Sequence, residues 1–372
     1  MGFQPIEKRG FQPRAYFEPK RIPAPQAPFA ASPIPIMTSL KLGLICGMAF
    51  LACPAPAVRT ASAKATAAPA DVDASSFSPL QKNQQLLTTP GDHVRKLTVD
   101  GLERQCLIHI PKDMDPAKPS PLILVLHGAG MNSAMMASFS GMSRQADSSK
   151  FIAVYPHGTG LAETFLTWNS GGIGPARQRP DDVAFIKALL NDLETVFKLD
   201  RRRIFAAGLS NGGMMTYRLG AELSDRIAAI AAVGGTLAIS DPKPTRPVPA
   251  IHFHGTEDRF VPYAGPGAGR KFSFRSVTET TALWAKLCGC PEAPVIRDFP
   301  DQFDDSTSVR ISRFGPGKSG AEVVQVDILG GGHTWPGQQP GVSFVGKSTR
   351  EISANQMIWE FFQKHPMPVA EP

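Results

Sequence analysis

No apolar run in this 372-residue chain is long enough to span a bilayer. The longest, at 42–53, falls well short of the about 20 residues a membrane helix needs, so a permanent membrane anchor is not expected. Charge is also scarce: 19% of the residues are charged against 42% hydrophobic. Such a chain has the apolar surface for a large core and lacks the polarity of a disordered one. The formal net charge is +7, but the excess sits mostly in residues 1–57, where Lys8, Arg9, Arg14, Lys20, Arg21 and Lys41 outnumber Glu7 and Glu18. Beyond that stretch the one dense basic cluster is Arg201-Arg202-Arg203. The concentrated basic face of a nucleic-acid binder is missing. Gly234-Gly235 lacks the spacing of a phosphate loop or a dinucleotide fingerprint, so no ATP or NAD dependence is expected. Internal repeats are absent. Five cysteines are too few for a disulfide scaffold, and none has zinc-site spacing.

The first 36 residues are rich in proline and basic groups and show no apolar period, so they cannot build a packed element. From Met37 the text changes. A short basic stretch at 37–41, the apolar run at 42–53 and the small-residue site Ala55-Pro56-Ala57 read as a signal peptide over 37–57. Met37 is then the expected true start, residues 1–57 the leader, and the protein secreted, either extracellular or periplasmic. Phe50-Leu51-Ala52-Cys53 also resembles a lipobox, with Phe50 where that pattern prefers Leu; lipidation at Cys53 is the alternative fate. Residues 58–90, rich in Ala, Ser, Thr and Pro, read as a flexible spacer. With Cys46 and Cys53 in the leader, Cys106, Cys288 and Cys290 remain and can form at most one disulfide among themselves. A bridge across Gly289 closes a strained small ring, and Cys106 with either of the others is equally open.

From Gly91 onward, one folded domain is expected to run through 372. Strands at 94–99 and 102–110 flank Asp100-Gly101, a dipeptide suited to a tight hairpin turn. Short continuous apolar runs at 122–126, 151–155, 204–207, 227–233 and 250–253 follow, each bounded by Gly or Pro; they read as buried parallel strands. Helical spacing appears at 135–148, 182–197, 212–223, 277–288 and 352–364, and one more strand at 323–329. Alternating strands and helices predict an α/β fold with a mostly parallel central sheet and helices on both faces.

Gly208-Leu209-Ser210-Asn211-Gly212 follows the strand at 204–207 and opens the next helix. The five-residue pattern alone is weak; its place between strand and helix is what carries meaning, because a sharp turn there presents the Ser210 hydroxyl at its apex. A serine hydroxyl needs a base, and His333, in the glycine-rich loop after the strand at 323–329, stands where one is expected. An orienting carboxylate should lie between them in sequence. Asp258, in the loop after the strand at 250–253, fits, with the adjacent Glu257 not separable by spacing. His127-Gly128-Ala129-Gly130 follows the strand at 122–126. The backbone N–H groups of Ala129 and Asn211 are the expected oxyanion donors, with Gly128 and Gly130 allowing close approach. His252 and His254 share a strand face, but two histidines without a third ligand do not make a metal site, so no metal is expected. Trp168, Asn169 and Trp335 are candidate substrate-binding residues at the pocket rim, with core packing of the two indoles an equal alternative.

Together, His127-Gly128, Trp168-Asn169, Pro180-Asp181-Asp182-Val183, Gly208-Leu209-Ser210-Asn211-Gly212-Gly213-Met214, His254-Gly255-Thr256-Glu257-Asp258 and Gly332-His333-Thr334-Trp335-Pro336-Gly337 resemble the poly(3-hydroxybutyrate) depolymerase and feruloyl esterase family over about 93–364. The resemblance implies a secreted α/β-hydrolase that cleaves carboxylic esters without a cofactor, using Ser210, Asp258 and His333. Many members carry cysteines in the loop after the Trp-Asn pair. Here that loop, from Ser170 to Pro175, has none, which leaves its rigidity open. No polymer-binding domain follows the catalytic body, which favours soluble esters or short oligomers over solid polyester. An acyltransferase or a non-catalytic binding protein on the same scaffold are the alternatives to an esterase.

Overall fold

The computed structural model describes residues 88–162, 165–171, 179–267, 273–339 and 342–368. The leader, the signal segment 37–57 with Cys53, the spacer up to residue 87 and loop residues 172–175 lie outside the described residues.

The chain enters through a hairpin of β1 (Gly91–Val99) and β2 (Leu102–Ile110), turned at Asp100 and Gly101, both at positive φ. β3 (Ser120–Leu126), β4 (Ile152–Pro156), β7 (Leu199–Leu209), β8 (Ile230–Val233), β9 (Ala250–Gly255) and β12 (Val323–Leu329) form the parallel centre of a ten-stranded sheet of order β1-β2-β4-β3-β7-β8-β9-β12-β11-β10. Two outer strands, β10 (Val295–Asp298) and β11 (Ser308–Phe314), close the far edge in antiparallel pairing. They have no counterpart among the continuous apolar runs, because β10 is an exposed edge strand that needs no buried face and β11 is buried at only some of its residues. β5 (Thr159–Ala162) and β6 (Phe165–Thr167) make a separate small ribbon.

Successive residues of a strand point to opposite faces, and β3 illustrates the result. Leu122, Leu124 and Leu126 enter the core beneath α3 (Asp182–Val196), α4 (Asn211–Glu222) and α5 (Val277–Leu287). Ile123 and Val125 enter the opposite core, beneath α1 (Ser133–Ser140), α2 (Met142–Ser149) and α6 (Ala354–Lys364). The expected mostly parallel sheet with helices on both faces is therefore present.

Two local expectations change. The single helix expected at 135–148 is two helices, because Gly141 takes a left-handed conformation (φ 61°) and donates its N–H back to Ala137 O, which ends the first helix and starts the second at a new angle. The strand at 204–207 begins five residues earlier, at Leu199; Asp200, Arg201 and Arg202 extend it without an apolar pattern. The three described cysteines are unbridged: Cys288 Sγ donates to Val248 O (3.2 Å), Cys290 Sγ to Ala321 O (3.6 Å), and Cys106 is buried on β2.

Candidate active site

Parallel sheets place their functional loops at the carboxyl ends of the strands. At the end of β7, Ser210 caps α4 with φ 56° and ψ −121°, a conformation a residue with a side chain adopts only when its surroundings enforce it. The enforcement is visible in the backbone. Ser210 N–H donates to Val233 O (2.8 Å), and Met214 N–H donates to Ser210 O (2.9 Å). α4 starts so close to β3 that a Cβ on Gly212 would lie 2.4 Å from Leu126 O, which excludes any other residue there. Ser210 is left half-buried at the apex.

Asp258 and His333 come from the loops after β9 and β12, 75 residues apart in sequence, and meet with Asp258 Oδ2 2.6 Å from His333 Nδ1. The other carboxylate oxygen accepts the N–H groups of Phe260 (2.8 Å) and Val261 (2.9 Å), so the carboxylate cannot rotate away from the ring. Burial by itself raises the carboxyl pKa. The hydrogen bond and charge of His333, the His254 ring and the Val261 N–H overcome that, and Asp258 ends below the usual carboxylate range. The neighbouring Glu257 is exposed, which resolves the choice that spacing left open.

Ser210 and the Asp258–His333 pair border the same turn. Ser210 N–H is tied to Val233 O, and the Cβ direction of the next residue, Gly234, ends 3.0 Å from His333 Nδ1 and 3.5 Å from Asp258 Oδ2. On the other flank, the Cβ direction of Gly128 ends 3.4 Å from Ser210 Cβ, so the loop carrying Ala129 lies against the serine. In that loop Gly130 N–H is taken by Leu166 O (2.9 Å) and Met131 N–H by Gly128 O (3.2 Å). Asn211 is the first residue of α4, where backbone N–H groups have no partner within the helix. His127 anchors the loop from below. Its Nε2 accepts Gly158 N–H (3.0 Å), so Nδ1 carries the hydrogen and donates to Gly128 O (2.9 Å). Burial depresses its pKa to about 4 against the pull of the Gly128 bond.

The substrate-contact expectation for Trp168, Asn169 and Trp335 is corrected. Both indoles are fully buried. Trp168 Nε1 donates to His127 O (2.9 Å) and Trp335 Nε1 to Asn355 Oδ1 (2.7 Å), so each ring packs inward to satisfy its one polar atom. Asn169 is also buried, its N–H on Asp182 Oδ2 (2.7 Å). These residues brace the loop instead. Asn211 accepts Trp168 N–H (2.6 Å) and donates to Ser170 Oγ (2.8 Å), while Asp182, in the Pro-Asp-Asp-Val stretch, forms a buried ion pair with Arg104 (2.7 Å). A polar network thus holds the described part of the loop that lacks cysteines.

Three exposed phenylalanines near the site were not singled out by the sequence. Phe260 packs against the His333 ring at 5.2 Å, Phe344 meets Phe260 edge-on at 6.1 Å, and the Phe165 ring lies 3.3 Å from the Cβ direction of Gly130. Their exposures of 50%, 69% and 67% are high for phenylalanine. Phe260, two residues after Asp258, was the one with a readable signal. Phe165, on β6, and Phe344 come from distant segments that no spacing connects.

A serine on a strand-to-helix elbow, followed in the chain by an acid and a histidine on later strand ends of a parallel sheet, defines an α/β-hydrolase. Residues 181–281 match the family Phospholipase/Carboxylesterase. The chain is 30% identical to a Nocardia uniformis subsp. tsuyamanensis protein called "Putative esterase NocK", over 80% of this chain and 90% of that one. It is 28% identical to feruloyl esterase B of Piromyces equi over 65% of this chain, a region that spans 45% of that longer protein. An acetyl xylan esterase from Aspergillus awamori shares the fold, with a TM-score of 0.52 at 14% identity over 73% of this chain and 99% of that one. The chain belongs to an esterase family of α/β-hydrolases and is a serine hydrolase of carboxylic esters. Among the described residues no helix is long and apolar enough to cross a membrane.

The buried neutral histidines make stability depend on pH in one direction. His127 titrates near 6.5 in the unfolded chain and near 4 when folded, so the unfolded state binds more protons between those values. Its contribution is complete above about pH 6.5 and is lost as the pH falls toward 4. Urea denaturation at pH 7 and at about pH 4.5 is expected to show a loss of about 2–3 kcal/mol from this group. A flat profile over that range would contradict the buried, neutral assignment.

Proposed function

We propose that the protein is a secreted esterase in which Ser210 is the nucleophile, His333 the general base and acid, and Asp258 the group that orients His333. The observation that carries this reading is the 2.6 Å contact of Asp258 with His333 beside the turn that also holds Ser210. With Nδ1 donating to Asp258, the free ring nitrogen, Nε2, takes the Ser210 proton as Oγ attacks the ester carbonyl. The N–H groups of Ala129 and Asn211 receive the oxyanion, aided by the positive end of α4. Collapse of the tetrahedral intermediate expels the alcohol, protonated by His333. Water, deprotonated by the same histidine, then attacks the acyl-enzyme and releases the acid and Ser210. The chemistry uses no cofactor or metal.

For the substrate, the exposed phenylalanines beside His333 and Gly130 favour esters with an aromatic or bulky apolar group, in keeping with the feruloyl esterase relatives. Hydroxybutyrate oligomers belong in the same test panel because of the sequence resemblance. Secretion is supported by the basic, apolar and small-residue segments of 37–57.

Ser210→Ala is expected to lower kcat by about 10⁴ to 10⁶ with the fold intact, and to abolish labelling by a fluorophosphonate probe. More than a tenth of the activity remaining would reject the nucleophile. In a panel of methyl ferulate, p-nitrophenyl acetate and hydroxybutyrate oligomers, Phe344→Ala should raise KM for the ferulate several-fold and leave the acetate nearly unchanged; equal effects on both would remove the aromatic preference. Mass spectrometry of the exported protein should find Val58 as its first residue, whereas an N-terminus before Met37 would be incompatible with the signal reading.

A further inference from the structure

Behind the acid lies a set of buried groups that the ester chemistry leaves unused. His252 and His254 share a face of β9, and their rings stack 5.3 Å apart in the core. The Tyr217 hydroxyl, from α4, is 3.0 Å from His252 Nδ1. His252 Nε2 is 3.1 Å from His254 Nδ1, and His254 Nε2 is 2.8 Å from Val261 O. A carbonyl oxygen only accepts, so His254 Nε2 carries a hydrogen. Burial keeps both rings neutral, opposed at His254 by Asp258 and the Val261 bond, and a neutral ring has a single N–H. His254 Nδ1 therefore accepts, His252 donates to it from Nε2, and Tyr217 donates to His252 Nδ1. One arrangement of hydrogens satisfies all three contacts, and it runs in one direction.

The chain ends at the site. His254 Nε2 also lies 3.4 Å from Asp258 Oδ2, the oxygen that accepts from His333. The remaining titratable neighbours of His254 are Tyr263, edge-on at 6.0 Å, and Asp327, its register partner on β12. Asp327 is tied to Tyr263 (2.9 Å) and Gln325 (2.9 Å). β8 presents Ala232 and Val233 on the other flank, and α5 presents Thr281, bonded to Gln325 (2.6 Å).

We propose that Tyr217, His252 and His254 form a one-directional hydrogen-bond chain that fixes His254 as an N–H donor beside Asp258, making it a positioning residue that holds this carboxylate as an anion for His333. The proposal rests on the reading of Asp258 and His333 as acid and base. The positive end of the His254 N–H stabilises charge on Asp258 and opposes a proton on the Asp258–His333 pair. Its removal raises the pH at which His333 gives up its proton, so the acid limb of activity moves upward.

The test is the pH profile of kcat/KM on p-nitrophenyl acetate for the full chain and two variants. His254→Asn keeps a polar group at the His252 end and leaves none beside Asp258; His254→Gln reaches the Nε2 position and keeps an N–H there. The acid limb is expected to rise by about half a unit to one pH unit in the Asn variant and to stay at the wild-type position in the Gln variant, with KM within about twofold in both. An unmoved limb in the Asn variant, or equal shifts in the two, overturns the proposal. Ring ¹⁵N shifts of the wild-type protein give a second reading free of turnover and of variant folding. Both rings are expected to carry hydrogen at Nε2 alone from about pH 7 to 9, and mixed tautomers or a protonated His254 in that range overturns the chain. Activity retained in Ser210→Ala would remove the catalytic reading while the nitrogen spectra still decide the chain, so the two failures are distinguishable.

Discussion

The backbone of Ser210 is the constraint on which the rest of the structure depends. A positive φ at a residue with a side chain costs about 1–3 kcal/mol, and it persists only where neighbours over-determine it. Here β7 must stop, turn and become α4 within a residue, with α4 close enough to β3 that Gly212 faces the carbonyl of Leu126. β8 closes the turn from the side through Val233 O. The hydroxyl is lifted out of the sheet edge, and the helix N-terminus and the loop after β3 are brought to it by the same geometry. The strain is therefore a consequence of putting the proposed nucleophile and the proposed oxyanion donors in one place, and the large two-faced core stabilises it from outside the site.

Around this elbow the polar groups form a set of directed hydrogen bonds. His127 is neutral with one tautomer, held by Gly158 and Gly128. Asp258 has one oxygen held by two backbone N–H groups and the other between His333 and His254. Trp168, Asn169, Asp182, Arg104 and Asn211 form a third connected group that fastens the loop across from the serine. In a buried setting an unpaired polar group is costly. Networks of this kind survive only when nearly every member is paired, and they hold the site rigid for that reason.

Much of the architecture was readable before any coordinates. The parallel strands announce themselves as short apolar runs because both of their faces are buried, and each residue of the proposed triad stands in the turn or loop that follows a strand. What the pattern did not contain was anything at the sheet's far edge, since Val295–Asp298 is exposed and carries no periodicity. The helix over 135–148 read as continuous because one glycine in a helical stretch does not say whether it will go left-handed. Trp168 and Trp335 were read as rim groups from their place in motifs near the site, yet both indoles turn inward, where a carbonyl and an amide accept their N–H.

The sequence by itself determined the order of the parallel strands and most of the helices, the fold class, and the chain order of serine, acid and histidine, because these follow from local burial patterns and from turn residues that have few alternatives. The tertiary structure decided that Asp258 and not Glu257 faces the histidine, that Phe165, Phe260 and Phe344 are exposed aromatic groups near the site, and that His252 and His254 point into the core toward Asp258. The physical reason is that periodicity reports only how much of a side chain is buried. Direction and partner depend on contacts between segments far apart in the chain, and those exist only once the sheet has assembled.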